Sequence, residues 1–243
     1  MYDLGIIGGM GSQATVEIFD RIVKNTEASC DQEHIEICIL NKAKITDRTD
    51  FILNGGVSPL PTLLEGVEDL KKLGIKFFAI PCNTAHYFAK DLVEVGGITF
   101  INMIEETKNY IKKLCKYKKV CVLCTSGTAK ANIYGNNIDE DISVFYPNSH
   151  LQNELMNIIK DVKSGISTIE NNRDKLFYIM SEIISVYDEC LFIVACTELS
   201  VVVEGENFKS LDFIDAMDIL TFNIIKKSGY KIKENSNIDI SLI

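Results

Sequence analysis

The stretch Phe77-Phe78-Ala79-Ile80-Pro81-Cys82-Asn83-Thr84-Ala85-His86 decides how this chain of 243 residues is read. Its apolar run is too short for a helix, ends at a proline and turns polar at a cysteine. That pattern predicts a buried parallel strand whose carboxyl end delivers Cys82, Asn83 and Thr84 to the rim of a sheet. In open α/β sheets, ligands bind outside the carboxyl ends of the strands. Thr84 is expected to cap the helix that follows, which puts Cys82 near a positive helix N-terminus, where a thiolate is favoured. The same pattern returns nearly half a chain later. Leu191-Phe192-Ile193-Val194-Ala195 is a second apolar strand, followed at once by Cys196-Thr197-Glu198. Two similar halves, each presenting one thiol at a strand end, predict a pseudo-symmetric site with a cysteine on either side.

Outward from these strands the chain alternates. Asp3 to Gly8 is the first expected strand, and Gly8-Gly9-Met10-Gly11-Ser12 is a tight turn into a helix reaching about Glu27. The glycines lack clean G-x-G-x-x-G spacing, and the second strand, Ile35 to Leu40, ends in Asn41-Lys42 without an acidic ribose partner. A turn exposing backbone N–H groups to a small anion is the preferred reading over a nucleotide site. Lys42 to Asp50 is a polar connection with no hydrophobic period. Within it Arg48 reads either as a solvated surface charge or as a fork for a carboxylate. Helices are expected over Pro59 to Leu73, Thr84 to Val95, Ile104 to Cys115, Gln152 to Val162, Ile169 to Tyr187 and Ala216 to Lys227. Further strands are expected at Ile98 to Ile101, Lys119 to Cys124, Ile142 to Tyr146 and Asp212 to Ile214. Thr125-Ser126-Gly127-Thr128 is another polar strand-end turn, and the asparagine-rich tail from Lys231 is expected to be peripheral. This alternation predicts α/β architecture with mostly parallel sheets.

Composition narrows the function. Hydrophobic residues make up 47% and charged residues 24%, the balance of an ordinary globular protein. No apolar run approaches the ~18 residues of a membrane helix, and no basic region precedes the first apolar residues, so a cytoplasmic protein is expected. The formal net charge of −9 disfavours nucleic acid. Eight cysteines are present, but a reducing cytosol argues against disulfides. The C-x-x-C of Cys121 and Cys124 lies inside a strand, where the thiols read as packing groups, and no metal site is expected.

Five motifs, Gly5-Ile6-Ile7-Gly8-Gly9-Met10-Gly11, Asp47-Arg48-Thr49, Pro81-Cys82-Asn83-Thr84-Ala85-His86, Met103-Ile104-Glu105-Glu106-Thr107 and Cys196-Thr197-Glu198-Leu199, run through nearly the whole chain. In that order they resemble the aspartate/glutamate racemases that work without pyridoxal phosphate, and most closely the aspartate racemase branch. The resemblance implies two similar α/β domains with mainly parallel four-stranded sheets flanked by helices, facing a cleft that holds the active site. It implies a first domain of residues 1–101 plus 212–243, completed by the C-terminal helix, and a second of residues 102–211. No cofactor, a small acidic amino acid as substrate and a homodimer are implied with them.

The chemistry agrees with the pattern. Inverting an amino acid at its α-carbon passes through a planar carbanion, so a base is needed on one face and an acid on the other. One cysteine as thiolate removes the proton and the other as thiol returns one. A thiol with an ordinary pKa of ~8.5 needs help to ionise, expected from the helix N-termini after Cys82 and Cys196 and the hydroxyls of Thr84 and Thr197. Two facing thiolates repel, which favours one shared proton. Asn83, Thr84, Thr125 and Thr197 are expected to hold the α-carboxylate or the amino group. By resemblance Arg48 and Lys163 bind the side-chain carboxylate, and Met10 and Thr128 join the substrate-binding set. His86 reads as structural, behind Cys82. Glu198 accepts a hydrogen bond either from the substrate ammonium or from a neighbouring backbone group. Ser200 stands where relatives usually have proline, and Ala131-Asn132 replaces a common Ser-Gly ahead of Tyr134. The rival readings are a glutamate or broad-specificity racemase, a decarboxylase or maleate-type isomerase of the same superfamily, a non-catalytic sensor of acidic amino acids, and a cysteine redox protein. The last lacks a C-x-x-C opening a helix.

Overall fold

The computed structural model describes residues 2–114, 116–204, 211–234 and 238–243. The first half contains β1 (Leu4–Gly8), α1 (Ser12–Asn25), β2 (Ile37–Asn41), α2 (Arg48–Asn54), α3 (Leu60–Lys72) and β3 (Phe77–Ala79). A 3₁₀ turn over Asn83–Phe88 then runs into α4 (Ala89–Glu94) and β4 (Thr99–Ile101). The second half begins with α5 (Met103–Leu114), β5 (Lys119–Cys124), α6 (Ser126–Lys130), β6 (Asn137–Asp139) and β7 (Ile142–Phe145). It continues through α7 (Ser149–Ser164), α8 (Ile169–Tyr187), β8 (Leu191–Ala195), α9 (Thr197–Val203), β9 (Phe213–Asp215) and α10 (Ala216–Lys227).

Two sheets result, ordered β2-β1-β3-β4 and β6-β7-β5-β8-β9. Every pairing is parallel except β6 with β7. The central strands β1 and β8 are buried along their whole length, as expected when helices cover both faces of a parallel sheet. Alternation along β5 sends Val120 and Val122 into one core and Cys121 and Leu123 into another. The first of these cores is shared: α1, α5 and α10 lie between the two sheets and pack against both. The α3 and α4 helices cover the outer face of the first sheet, and α7, α8 and α9 cover the outer face of the second. The α/β class with two parallel-dominated, helix-flanked sheets is therefore as the sequence predicts.

Several details differ from the sequence reading. The segment read as a polar connection contains α2, which Asp47 caps by accepting from the Asp50 N–H (2.8 Å) and Gly55 closes in the left-handed conformation. The expected helix from Thr84 starts instead as a 3₁₀ turn, with Cys82 at its N-cap position and Thr84 inside it, so Thr84 does not cap. The second sheet carries an additional antiparallel edge strand, β6. Cys115, the expected end of α5, lies outside the described residues. The tail is not wholly peripheral. Ile238, Leu242 and Ile243 pack on the shared core, and Lys113 Nζ donates to the Leu242 carbonyl (2.7 Å). Among the described residues no helix is long and apolar enough to cross a membrane.

Candidate active site

The carboxyl ends of β3 and β8 face one another across a narrow cavity with about 320 Å³ of space between its atoms, mouth included. Its walls come from both halves. Cys82, Asn83 and Thr84 follow β3, while Ala195, Cys196, Thr197 and Glu198 end β8 and open α9. Met10, Asp47, Arg48, Thr49, Thr125 and Lys163 complete the lining. Strand geometry explains the placement: a fully apolar strand stays in the sheet until its first polar residues, which leave at the rim. Cys82 and Cys196 are both buried, 6% and 5% exposed, yet both line the cavity.

Surroundings distinguish the second thiol. Cys196 Sγ donates to Glu198 Oε2 at 3.0 Å, and the Thr197 hydroxyl donates to the same oxygen (3.2 Å). Burial first, then the Glu198 carboxylate and the hydrogen bond to it, push the Cys196 thiol well above its ordinary value, with Lys163 pulling the other way. The expected help from the α9 N-terminus is thus outweighed, and Cys196 holds its proton. Glu198 Oε1 faces Lys163 Nζ at 3.6 Å. Burial works against the lysine's charge and Arg48 opposes it as well, but the Glu198 carboxylate prevails and holds its pKa above the ordinary value.

On the Cys82 side, hydroxyls and an amide are interlocked. Thr84 Oγ1 lies 3.0 Å from Thr125 Oγ1 and 2.9 Å from Thr128 Oγ1, and the latter two are 3.1 Å apart. Thr128, fully buried, stands behind this wall rather than on it. The Tyr134 hydroxyl donates to Asn83 Oδ1 at 2.7 Å. His86 is a brace. The Met103 N–H donates to its Nε2 (3.1 Å), so the ring proton sits on Nδ1 and is given to the Cys82 carbonyl (2.9 Å). Burial, against backbone hydrogen bonds at Cys82 and Asn83, lowers its pKa to about 4 and keeps it neutral.

Arg48 is 8% exposed rather than solvated. Two of its nitrogens donate to the Thr46 and Met10 carbonyls, each at 3.1 Å, while its buried Nε has no partner. A buried guanidinium donor left unpaired on a cavity wall is suited to an anionic ligand. The same contact to Met10 fixes the glycine turn. Gly9 there has φ +92°, and any Cβ would strike the backbone of Lys42 and Ala43.

Of the residues singled out from sequence, Met10, Arg48, Cys82, Asn83, Thr84, Thr125, Lys163, Cys196 and Thr197 converge on this cavity, and Thr128 backs it. Asp47 and Thr49 also line it; they flank Arg48 in its motif, which was the available signal. Tyr134 was not read as part of the site, since nothing local links it to Asn83, 51 residues away. Among the described residues no cluster of histidine, cysteine or carboxylate side chains could hold a metal ion.

Comparison with known proteins fits this geometry. The family described as Asp/Glu/hydantoin racemase matches residues 7–221. A broad-specificity amino-acid racemase of Bacillus subtilis is 24% identical over 208 residues, covering 83% of this chain and 87% of the relative. The structure of Picrophilus torridus aspartate racemase matches with a TM-score of 0.85 and 29% identity over 98% of this chain and 97% of its own. The fold recurs in a glutamate racemase from Bacillus anthracis, with a TM-score of 0.61 and 17% identity over 93% of this chain and 82% of that one. With the family match spanning most of its length, this chain belongs to the Asp/Glu/hydantoin racemase family and is an amino-acid racemase.

Proposed function

We propose that this racemase interconverts L- and D-aspartate by proton transfer between Cys82 and Cys196 across the α-carbon, with no cofactor. The observation that carries the reading is the convergence of two thiols from separate strand ends on one cavity that also holds Arg48 and Lys163. In one direction Cys82 as thiolate takes the α-proton, and the Cys196 thiol gives its proton to the opposite face of the carbanion. The reverse direction exchanges the roles. Lys163 offsets the charge that Cys196 acquires when it gives up its proton beside Glu198. The unpaired Nε of Arg48 and the Lys163 ammonium receive the side-chain carboxylate, with Met10 holding Arg48 in place. Asn83, Thr84, Thr125 and Thr197 receive the α-carbon substituents, and Thr128 orders the hydroxyls of Thr84 and Thr125.

Glutamate or broader specificity is the second reading, favoured by the Bacillus subtilis relative described as a broad-specificity racemase. A homodimer and a cytoplasmic location belong to the same proposal. The first is supported by an outward stripe on α1, where Val16, Phe19 and Val23 are 59%, 42% and 37% exposed. Proton NMR in D₂O with L-aspartate, L-glutamate and no added cofactor tests the reaction. The α-proton signal of aspartate should vanish as D-enantiomer accumulates, and Cys82→Ser and Cys196→Ser should each lower the rate about 10²- to 10⁴-fold. Exchange of glutamate alone would replace the substrate, and unimpaired serine variants would refute the two-thiol mechanism.

A further inference from the structure

We propose that Ser200, held by Arg21 and Asp215, registers α9 against the half of the molecule that carries Cys82 and so fixes the reach of the Cys196 thiol. The inference rests on the two-thiol reading above and adds a positioning residue outside the cavity.

Cys196 occupies the N-cap position of α9, and Ser200 closes the first turn by giving its N–H to the Cys196 carbonyl (3.1 Å). The apolar side chains of α9, Leu199, Val202 and Val203, pack into the outer core of the second sheet. Apolar burial is non-directional and does not set how far the helix reaches toward the other half. Ser200 supplies that direction. It is 1% exposed, and its hydroxyl lies 2.7 Å from Asp215 Oδ1 and 3.4 Å from the Cys196 carbonyl, so its proton goes to the nearer carboxylate. The Ser200 carbonyl accepts from Arg21 Nη2 (3.2 Å). Arg21 belongs to α1, the helix that follows the Met10 turn, and its Nη1 binds the other oxygen of Asp215 (2.6 Å). Asp215 is fixed in turn as the cap of α10, accepting from the Met217 N–H (2.9 Å). Charge-assisted hydrogen bonds of this kind are short and directional. A second link from α1, Lys24 to Glu204 at 3.6 Å, is exposed and weak. Inversion needs one sulfur on each face of the α-carbon, and a misplacement of about 1 Å can cost about 10² in rate. Ser200 therefore acts on the substrate through Cys196.

The test separates inversion from exchange in D₂O, starting from each enantiomer of aspartate and, separately, of glutamate. With Cys196 out of reach, the Cys82 thiolate still takes the α-proton that faces it and leaves the electron pair on carbon. Once the new thiol has exchanged with solvent, it returns a deuteron to the same face, and that enantiomer gains deuterium without inverting. Ser200→Ala should lower inversion about tenfold and show this retention for one enantiomer alone, the same one as in Cys196→Ser. Arg21→Lys, which keeps the charge and loses the fork, should move the ratio of exchange to inversion the same way. The double variant should lose no more than the worse single one. Ile225→Val, a cavity-forming change further along α10, should keep the wild-type ratio. Unchanged inversion in Ser200→Ala beside a defective Cys196→Ser would overturn the proposal and leave the two-thiol reading intact. Retention on both enantiomers, or a wild-type ratio at a lower rate, would overturn it as general loosening. A Cys196→Ser variant that inverts as fast as wild type would defeat the two-thiol reading and this inference together.

Discussion

Cys82 and Cys196 end matching strands, but their neighbours make them unequal. A carboxylate two residues along the chain takes the hydrogen bond of Cys196, while the Cys82 carbonyl is tied to a neutral imidazole. Replacing Glu198 by glutamine removes the negative charge that opposes the Cys196 thiolate. The Cys196 pKa should therefore fall, with burial still holding it above the ordinary value. Following iodoacetamide alkylation of the Cys196 peptide against pH should show the ionisation moved to lower pH in Glu198→Gln, and an unmoved curve would show that burial alone sets it. At this scale the sequence was readable where a residue announces itself by contrast with its neighbours, as both cysteines do at the end of apolar runs. It was not readable where the partner is remote. Tyr134 and Asn83 meet only because β3 and the α6–β6 connection are brought to the same place.

Among the elements, α2 was hidden from sequence because its seven residues span two turns, too few for a hydrophobic period to emerge. Its position matters because it carries Arg48 at its first residue. The α6 helix of the other half lies against it, and at the contact Gly127 has no room for a side chain: an added Cβ would sit 2.9 Å from the Thr49 Cα and 2.8 Å from its hydroxyl. Gly127→Ala should cost about 1–3 kcal/mol, since the backbone of α2 has to give way. A lower urea midpoint with unchanged m-value would show the loss, and KM for the substrate should rise with it as Arg48 is displaced. A variant as stable as wild type would mean that the contact yields without strain. Likewise β6 has only three residues with one buried, which leaves no alternation to read.

Across the whole molecule, the two sheets are held through the helices between them and through one buried charge cluster. Arg21 of α1 donates to Glu17 (2.6 Å), Asp215 (2.6 Å) and Asp218 (2.7 Å), and to the Ser200 carbonyl of α9 (3.2 Å). Ser200 gives its own hydroxyl to Asp215 (2.7 Å). Burial, followed by repulsion from Asp215, raises Asp218 to about 7, with Arg21 opposing. Arg21→Met leaves the aspartates without their cation and should cost about 3–5 kcal/mol. A carboxyl whose folded pKa is raised stabilises the fold below its unfolded value and loses that contribution as pH rises through the folded value. The penalty of Arg21→Met should therefore be smaller near about pH 5 than near about pH 8, as read from urea unfolding at the two pH values. A penalty independent of pH would assign the effect to packing. The division into units of residues 1–101 plus 212–243 and 102–211 remains our proposal. At its seam β9 pairs with β8 while α10 packs between the sheets.

By itself, the sequence determined the α/β class, the strands that end in Cys82 and Cys196, and most of the residues that line the cavity. These follow from local physics: the length of an apolar run, the period of burial, and the change to polar residues at a strand end. Tertiary structure alone decided that Arg48 is buried with a free donor, that Cys196 holds its proton, that Thr128 stands behind the wall, and which way the Asn83 amide points. Each of these depends on desolvation and on partners distant in the chain. Burial and electrostatics at a site are properties of what is packed around a side chain, and one-dimensional periodicity tells which face is buried without telling what covers it.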